Sequence, residues 1–397
     1  MRTLLMLRGA PGCGKSTFVR EHQLEPYTIS SDTVRLLYRA PVLDLNGRRS
    51  ISQASGSIVW HTLYEMIEHR LAKGDFTVVD ATFSRTTEMR RLKRLADQYR
   101  YRSYLVDFTD VPLDECLRRN SQRDDYRIVP EEVIRGMYQR FAEEPVLQGI
   151  KVLNPSEFES VFVQKVDLSH YRKIVHIGDI HGCYSALREY LREPDKNCCY
   201  IFTGDFLDRG IENVKVLRYL LEICRSPNVI LVEGNHEKHL YDYCHGQKSR
   251  SRVFETITRP ELNAAGFDKW EIKKFCRRLT ECLWYQYQGR EVFVCHGGIS
   301  ALPYNPVFIS SEQIIKGIGT YEDYLRTAYS WDRNTSDNCY QIFGHRNTEK
   351  SPMHVSKRCF CLEGEVENGG CLRIAELDSS GFHEVEIQNC VFKKLYS

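Results

Sequence analysis

Seven times along the chain a short apolar run opens onto polar turn residues, mostly Gly, Asp, Asn or His. No other feature constrains the fold as much. In the first half these runs are "TLLMLRG", "FTVVDAT" and "YRSYLVDFT"; in the second they are "KIVHIGDIHG", "CCYIFTGDFLDRG", "NVILVEGNHE" and "EVFVCHGG". Short continuous apolar runs bounded by turn residues read as strands buried on both faces. Between the early ones lie "SGSIVWHTLYEMIEHRLAKG" and "RTTEMRRLKRLADQY", whose apolar residues recur three and four apart, as on one face of a helix. Strands alternating with helices predict an α/β fold: a parallel sheet flanked by helices.

A chain of 397 residues suggests two domains. The strand pattern restarts after "VDLSHYR", so the expected domains are 1–168 and 169–397. No low-complexity linker separates them. Hydrophobic residues make up 42% and charged ones 27%, the balance of a water-soluble protein with two cores. A net charge of +2 argues against coating long nucleic acid, and leaves room for gripping a polymer end. No apolar run approaches the ~18 residues that span a bilayer, and no secretory leader precedes the first motif, so no membrane partner is expected. The fifteen cysteines include no CxxC pair and read as reduced filler, which points to the cytoplasm. Oligomeric state is left open.

"GAPGCGKST" satisfies G-x-x-x-x-G-K-[ST] between a strand and a helix. Backbone N–H groups from Gly12, Cys13 and Gly14 through Thr17 would cradle the phosphates of ATP or another NTP. Lys15 would reach the β/γ phosphates and the Ser16 hydroxyl would ligand Mg²⁺. The acceptor is set elsewhere. Asp32 and Arg35 in "SDTVR" share one face if a helix begins there, and a carboxylate so placed can take a proton from an attacking hydroxyl. Alone, such a pair is more often a cap or a surface ion pair. Arg119 and Arg123, four apart and ahead of Pro130, can clamp phosphates from a lid; alone they would be a solvated helical face. The basic run "MRRLKRLADQYRYR" is either a solvated face or the border of a nucleic-acid groove.

Taken together, "GAPGCGKST", "DTVR", "VVDAT" and "RRNSQR…VPEEVIRGMY" resemble, in order and spacing, the 5′-hydroxyl kinase domain of bacteriophage-type polynucleotide kinases, over roughly residues 1 to 150. The resemblance implies that Asp32 is the general base on a polynucleotide 5′-OH and that Arg35 contacts the acceptor phosphate region. It makes Arg119 and Arg123 the lid on the donor phosphates and puts Asp80 near the acceptor.

In the second half, "GDIHG", "GDFLDRG", "GNHE" and "CHGG" follow one another at strand ends, and "QIFGHRN" adds a further Gly-His. Asp179, His181, Asp205, Asn235, His296 and His345 supply the oxygen and imidazole ligands that two divalent metals need. These motifs resemble the binuclear metallophosphoesterases, on the branch of the PPP-type and lambda-type phosphatases and the diadenosine tetraphosphate hydrolases. The resemblance implies an α/β sandwich. In it Asp179 and His181 hold one metal, Asp205 bridges, and Asn235, His296 and His345 hold the second. It also implies that Arg209 clamps phosphate and that His236, oriented by Asp208, protonates the leaving oxygen. Water made acidic by the metals would attack. Mixed N/O ligation suggests Mn²⁺ or Ni²⁺. A polar, helix-prone insert near 240–285 would cap the site. Glu363 is the acid nearest to the place of a C-terminal aspartate in RNA-repair phosphatases, and stays unassigned.

The pairing resembles the end-healing enzymes of RNA repair. One domain would transfer the γ-phosphate of an NTP to a polynucleotide 5′-OH. The other would remove a 3′-phosphate or a 2′,3′-cyclic phosphate. The expected partners are RNA or DNA ends and a separate RNA ligase. The alternative is a small-nucleotide kinase fused to a dinucleoside polyphosphate hydrolase or protein phosphatase-like domain.

Overall fold

A computed structural model of the chain describes residues 1–43, 47–52, 54, 56–347 and 351–392. They form two compact units: Met1–Phe162 with Asn305–Ser310, and Val163–Tyr304 with Ser311–Ser397.

Unit 1 is built on five parallel strands in the order Thr28–Ser30, Thr77–Asp80, Thr3–Arg8, Arg102–Asp107, Lys151–Leu153. All six residues of Thr3–Arg8 are buried, as a central strand covered on both faces requires. The Gly56–Lys73 helix turns Leu63, Ile67 and Leu71 inward, and Thr86–Gln98 turns Met89, Leu92 and Ala96; both pack on Leu4, Met6 and Val79. The helical reading thus holds from Gly56 onward, while Ser55 lies outside the described residues. The basic run falls on the Thr86–Gln98 helix, where Arg91 stands 3.8 Å above the Tyr64 ring. The short segment Asn305–Ser310 also belongs to this unit, and the Phe308 ring lies 4.9–5.7 Å from Tyr27, Phe76 and Phe162.

Unit 2 contains two sheets. The first runs Val229–Leu231, Cys198–Phe202, Lys173–Ile177, Cys371–Asp378, Gly381–Gln388, with the first three strands parallel. The second runs His354–Ser356, Cys359–Cys361, Cys339–Phe343, Arg290–Cys295, Cys282–Tyr287, Val166–Asp167. In it Arg290–Cys295, Cys339–Phe343 and Cys359–Cys361 are parallel. The alternation along "CCYIF" explains the layering. Cys199 and Ile201 pack with Val292, Val294 and Ile342 of the second sheet, whereas Tyr200 and Phe202 pack with helix residues such as Leu217 and Leu220. Between the sheets, His176 is fully buried, with Nδ1 2.7 Å from the Ala375 carbonyl and Nε2 2.8 Å from the Tyr285 hydroxyl.

Two sequence boundaries move. The units part after Phe162, where sequence reading placed the division near 168, because Val166–Asp167 pairs with Tyr285–Gln286 as the edge of the second sheet. The helical insert ends at Cys276, since Cys282–Tyr287 is a strand whose alternate residues are buried between the sheets. Thirteen of the fifteen cysteines are buried, as expected of small apolar filler. No described helix is long and apolar enough to cross a membrane.

Candidate active sites

In unit 1 the phosphate loop follows the central strand and leads into the Lys15–Glu21 helix. Gly12 and Gly14 have φ of +86° and +111°, in the region that L side chains avoid. At Gly12 a Cβ would stand 2.3 Å from the Cys116 carbonyl, so the Leu113–Asn120 helix packs directly on the loop. Lys15 Nζ donates to the carbonyls of Gly9 (2.7 Å) and Ala10 (3.2 Å), which holds the ammonium over the loop. Cys13 is buried, and Ser16 and Thr17 follow Lys15 in the first helical turn.

Asp32 sits in the first turn of Ser31–Tyr38, immediately after the Thr28–Ser30 strand. Its Oδ1 lies 3.5 Å from Arg35 Nη1; Arg35 is largely buried and Asp32 half exposed. Asp80 closes the neighbouring strand, in register with Ser30 on one side and Leu7 on the other. Asp32, Asp80 and the phosphate loop therefore share the C-terminal edge of three adjacent parallel strands, where such sheets bind ligands. Burial raises the Asp80 pKa, Lys15 opposes that shift, Asp32 adds to it and Arg123 opposes it. All four charges thus act on one locality. Arg119 Nη1 comes within 3.9 Å of where a Gly14 Cβ would stand. It is held by Glu115, whose Oε1 also accepts from Arg118. Arg123 lies in the turn beyond that helix, and Pro130 caps Glu131–Glu143.

In unit 2, six strand ends from two sheets converge. Asp179 and His181 follow Lys173–Ile177; Asp205, Asp208 and Arg209 follow Cys198–Phe202; Asn235 and His236 follow Val229–Leu231. His296, His345 and Glu363 follow the three parallel strands of the second sheet. Of the ten described non-glycine residues with positive φ, five belong here: His181, Asp205, Asp208, Arg209 and His345. Backbone strain gathered at one place marks a functional site. Glycine permits the crowding: a Cβ on Gly344 would fall 2.0 Å from Asp179 Oδ1, and one on Gly234 would fall 2.3 Å from Asp205 Oδ1.

Ligand atoms of Asp179, His181 and Glu363 lie within 4.8 Å of one another, as do those of Asp205, His296 and His345. The His296 Nε2 is 3.3 Å from Asp205 Oδ2 and 3.2 Å from Asn235 Oδ1, while its Nδ1 meets the Thr203 carbonyl at 2.9 Å. That second contact fixes the tautomer that leaves Nε2 to bind a cation. Asp179 Oδ1 and His181 Nε2 are buried without a hydrogen-bond partner among the described residues. Burial and the nearby Glu363 and Asp205 carboxylates push the Asp179 pKa well up. Burial also holds His181 and His345 neutral, with pKa values lowered to about 4 and about 3. Crowded carboxylates, neutral imidazoles and orphaned acceptors make a donor set that fits divalent cations.

Around that centre, His236 Nδ1 is 3.0 Å from Asp208 Oδ2, and its Nε2 faces Asp205 Oδ2 at 3.9 Å. Asp208 also accepts from Thr258 Oγ1 at 2.8 Å and Ser251 Oγ at 3.3 Å. Arg209 Nη1 reaches Glu367 Oε1 at 3.1 Å.

Three acids were missed or left open by sequence reasoning. Glu237 is buried, and its carboxylate accepts from the backbone N–H of Gly234, Asp205 and Phe206 at 2.7–2.9 Å, clamping two site loops together. Its place in "GNHE" was the available signal. Glu363 stands against Asp179 and His181. Glu367 holds Arg209 from within "EVENGG", which carries no signal beyond turn composition.

Residues 4–145 match the model of the AAA domain family, and residues 172–365 match that of the calcineurin-like phosphoesterases. The symmetrical bis(5′-nucleosyl)-tetraphosphatase of Wigglesworthia glossinidia brevipalpis is 37% identical over 101 residues, 24% of this chain and 35% of that protein. Serine/threonine-protein phosphatase 2 of Salmonella typhimurium is 48% identical over 71 residues, 17% of this chain and 30% of that protein. The chain thus spans about a third of the length of either relative. Among solved structures, a serine/threonine phosphatase from Saccharomyces cerevisiae is 15% identical, with a TM-score of 0.39 over 57% of this chain and 83% of the other.

Proposed function

We propose that this chain, which joins an AAA-type N-terminal domain to a calcineurin-like phosphoesterase domain, heals the ends of broken polynucleotides, RNA above all. The observation that carries the reading is the half-exposed Asp32 carboxylate beside the phosphate loop, flanked by Arg35 and Asp80. A carboxylate in that position can take the proton of an attacking hydroxyl.

In unit 1, Asp32 takes the proton of a polynucleotide 5′-hydroxyl as it attacks the γ-phosphorus of an NTP. Lys15, Arg119 and Arg123 neutralise the charge of the group in flight, and Arg35 orients the acceptor. Ser16 would hold Mg²⁺. In unit 2, Asp179, His181, Asp205, Asn235, His296 and His345 would hold two divalent cations, Mn²⁺ or Ni²⁺, with Glu363 beside the first pair. Such cations supply positive charge that acidifies water and offsets the phosphate's negative charge. Arg209, braced by Glu367, grips the phosphoryl oxygens. Asp208 fixes the His236 ring through Nδ1, so that Nε2 delivers a proton to the departing ribose oxygen. The products are a 5′-phosphate and a free 3′ end, the pair a separate ligase consumes.

The relatives favour a second reading, in which unit 2 cleaves a dinucleoside polyphosphate and unit 1 phosphorylates a small nucleotide. One experiment separates the two. The metal-loaded chain is incubated with γ-labelled ATP and a 5′-OH, 2′,3′-cyclic-phosphate RNA, and in parallel with diadenosine tetraphosphate. Change at both RNA ends supports end healing. An unlabelled oligomer together with rapid tetraphosphate cleavage gives the second reading.

A further inference from the structure

Within unit 2, lined by none of the candidate metal ligands, lies a cavity of about 510 Å³ whose apolar lining includes Leu221 and Phe275. Its walls carry four cations, Arg225, Lys274, Arg277 and Arg278, against one carboxylate, Glu271, which pairs with Arg225 at 3.4 Å. Beside two of these cations, Lys274 and Arg277, stands Trp270, an indole left 51% exposed. Trp270, Lys274 and Arg277 follow one another at i, i+4 and i+7 from the Lys269–Cys276 helix, so they share one face. Lys274 Nζ and the Arg277 guanidinium lie 5.3 and 5.5 Å from the indole ring centroid. A charged helix face alone is ordinarily solvated. Here the cations surround an apolar trough and flank a large aromatic that packing does not bury.

From this arrangement we infer that the groove binds single-stranded polynucleotide, with a base stacked on Trp270 and phosphodiesters along Lys274, Arg277 and Arg278. Aromatic platforms beside basic grooves are how sequence-tolerant single-strand binders work. The groove is tied to the chemistry of its own unit. The Lys269–Cys276 helix packs on Glu237–Cys244, the helix that begins beside His236. Just beyond it, Thr280 pairs with Val232, which follows the Val229–Leu231 strand on the way to Asn235. The inference deepens the end-healing reading of unit 2 and rests on it for its biological sense.

The test is fluorescence anisotropy of a labelled single-stranded RNA 12-mer with the Mn²⁺-loaded full chain. Trp270→Ala should weaken binding about 5- to 150-fold. The double variant Lys274→Gln, Arg277→Gln should flatten the dependence of log K on log salt by roughly 1.4. Hydrolysis of p-nitrophenyl phosphate should stay at the wild-type rate in both, which shows intact folding. Unchanged RNA affinity in Trp270→Ala, or equal displacement by polyglutamate, would overturn the proposal; the latter would assign the surface to an acidic protein. The two readings fail separately. If oligonucleotide ends are processed but the variants bind as wild type, the groove is wrong and end healing stands. If no oligonucleotide end is processed yet the variants lose RNA affinity, the groove stands and end healing falls.

Discussion

Replacing Asp208 by Asn isolates the one proton transfer assigned to unit 2. The carboxylate is buried, its Oδ2 lies 3.0 Å from His236 Nδ1, and its other oxygen accepts from Thr258. Asparagine keeps the volume and can still accept from Thr258, so the packing survives while the charge is lost. A charge-assisted hydrogen bond contributes about 1.5–3 kcal/mol, and each 1.4 kcal/mol is a factor of ten in rate, so kcat should fall roughly 10- to 150-fold. That loss applies only where the departing oxygen needs a proton. With a nucleoside 3′-phosphate, whose leaving group is a strongly basic ribose alkoxide, the full drop is expected. With p-nitrophenyl phosphate, whose phenolate leaves unaided, it should shrink to a few-fold. Steady-state rates on both esters, at equal bound Mn²⁺, decide the matter. An equal loss on both substrates would refute the proton-donor role and make Asp208 a structural support of the insert through Thr258 and Ser251.

Three further outcomes are expected. Asp32→Asn should cut transfer to a 5′-OH oligonucleotide by about 10²- to 10⁴-fold, with 3′-phosphate removal by the same preparation unchanged. Adding Mn²⁺ at about 100 times its dissociation constant should stabilise the thermal transition of unit 2 by about 2.7 kcal/mol. Asp179→Asn should reduce that gain and yet stabilise the metal-free form, because it relieves crowding with Glu363 and Asp205. Burial lowers the His176 pKa from 6.5 to about 4, so the unfolded chain binds the extra proton across that interval, and the stability present above 6.5 is lost as pH falls toward 4. Denaturant titrations from about pH 7.5 to about 5 should cost the wild type roughly 2 kcal/mol more than His176→Gln.

Both candidate sites were largely legible in the sequence because their residues sit at strand ends, where a short apolar run and a polar cluster are read together. Asp179, Asp205, Asn235 and His296 announce themselves in this way. Glu237 and Glu367 act differently: one accepts three backbone N–H groups, the other braces an arginine. Roles of that kind depend on which loops the fold brings together. Glu363 follows a three-residue strand of the second sheet, and only the parallel pairing with Cys339–Phe343 carries it to Asp179. The end of the helical insert is hard to read because "CLWYQY" is apolar at five of its six positions, and the period of two that turns Leu283, Tyr285 and Tyr287 inward is masked by Cys282 and Trp284 between them. Nothing in "YNPVFISSE" says that it packs with residues as far back as Tyr27, since a three-residue apolar run, Val307 to Ile309, is too short to show a period.

That last segment bears on how the protein can be made. Phe308 joins Tyr27, Phe76 and Phe162 in the packing of unit 1. A ribosome that has delivered residue 162 has therefore not yet supplied all of the first unit. Much of unit 2, from the Lys173–Ile177 strand to Arg290–Cys295, emerges before the missing ring arrives. Domains usually complete themselves from the N-terminus as they are synthesised; here the first unit is finished from within the second. A fragment cut at 162 would lack the Phe308 ring on which Tyr27, Phe76 and Phe162 pack and should be prone to self-association. Phosphoryl transfer by an isolated first half is thus best sought with Asn305–Ser310 restored.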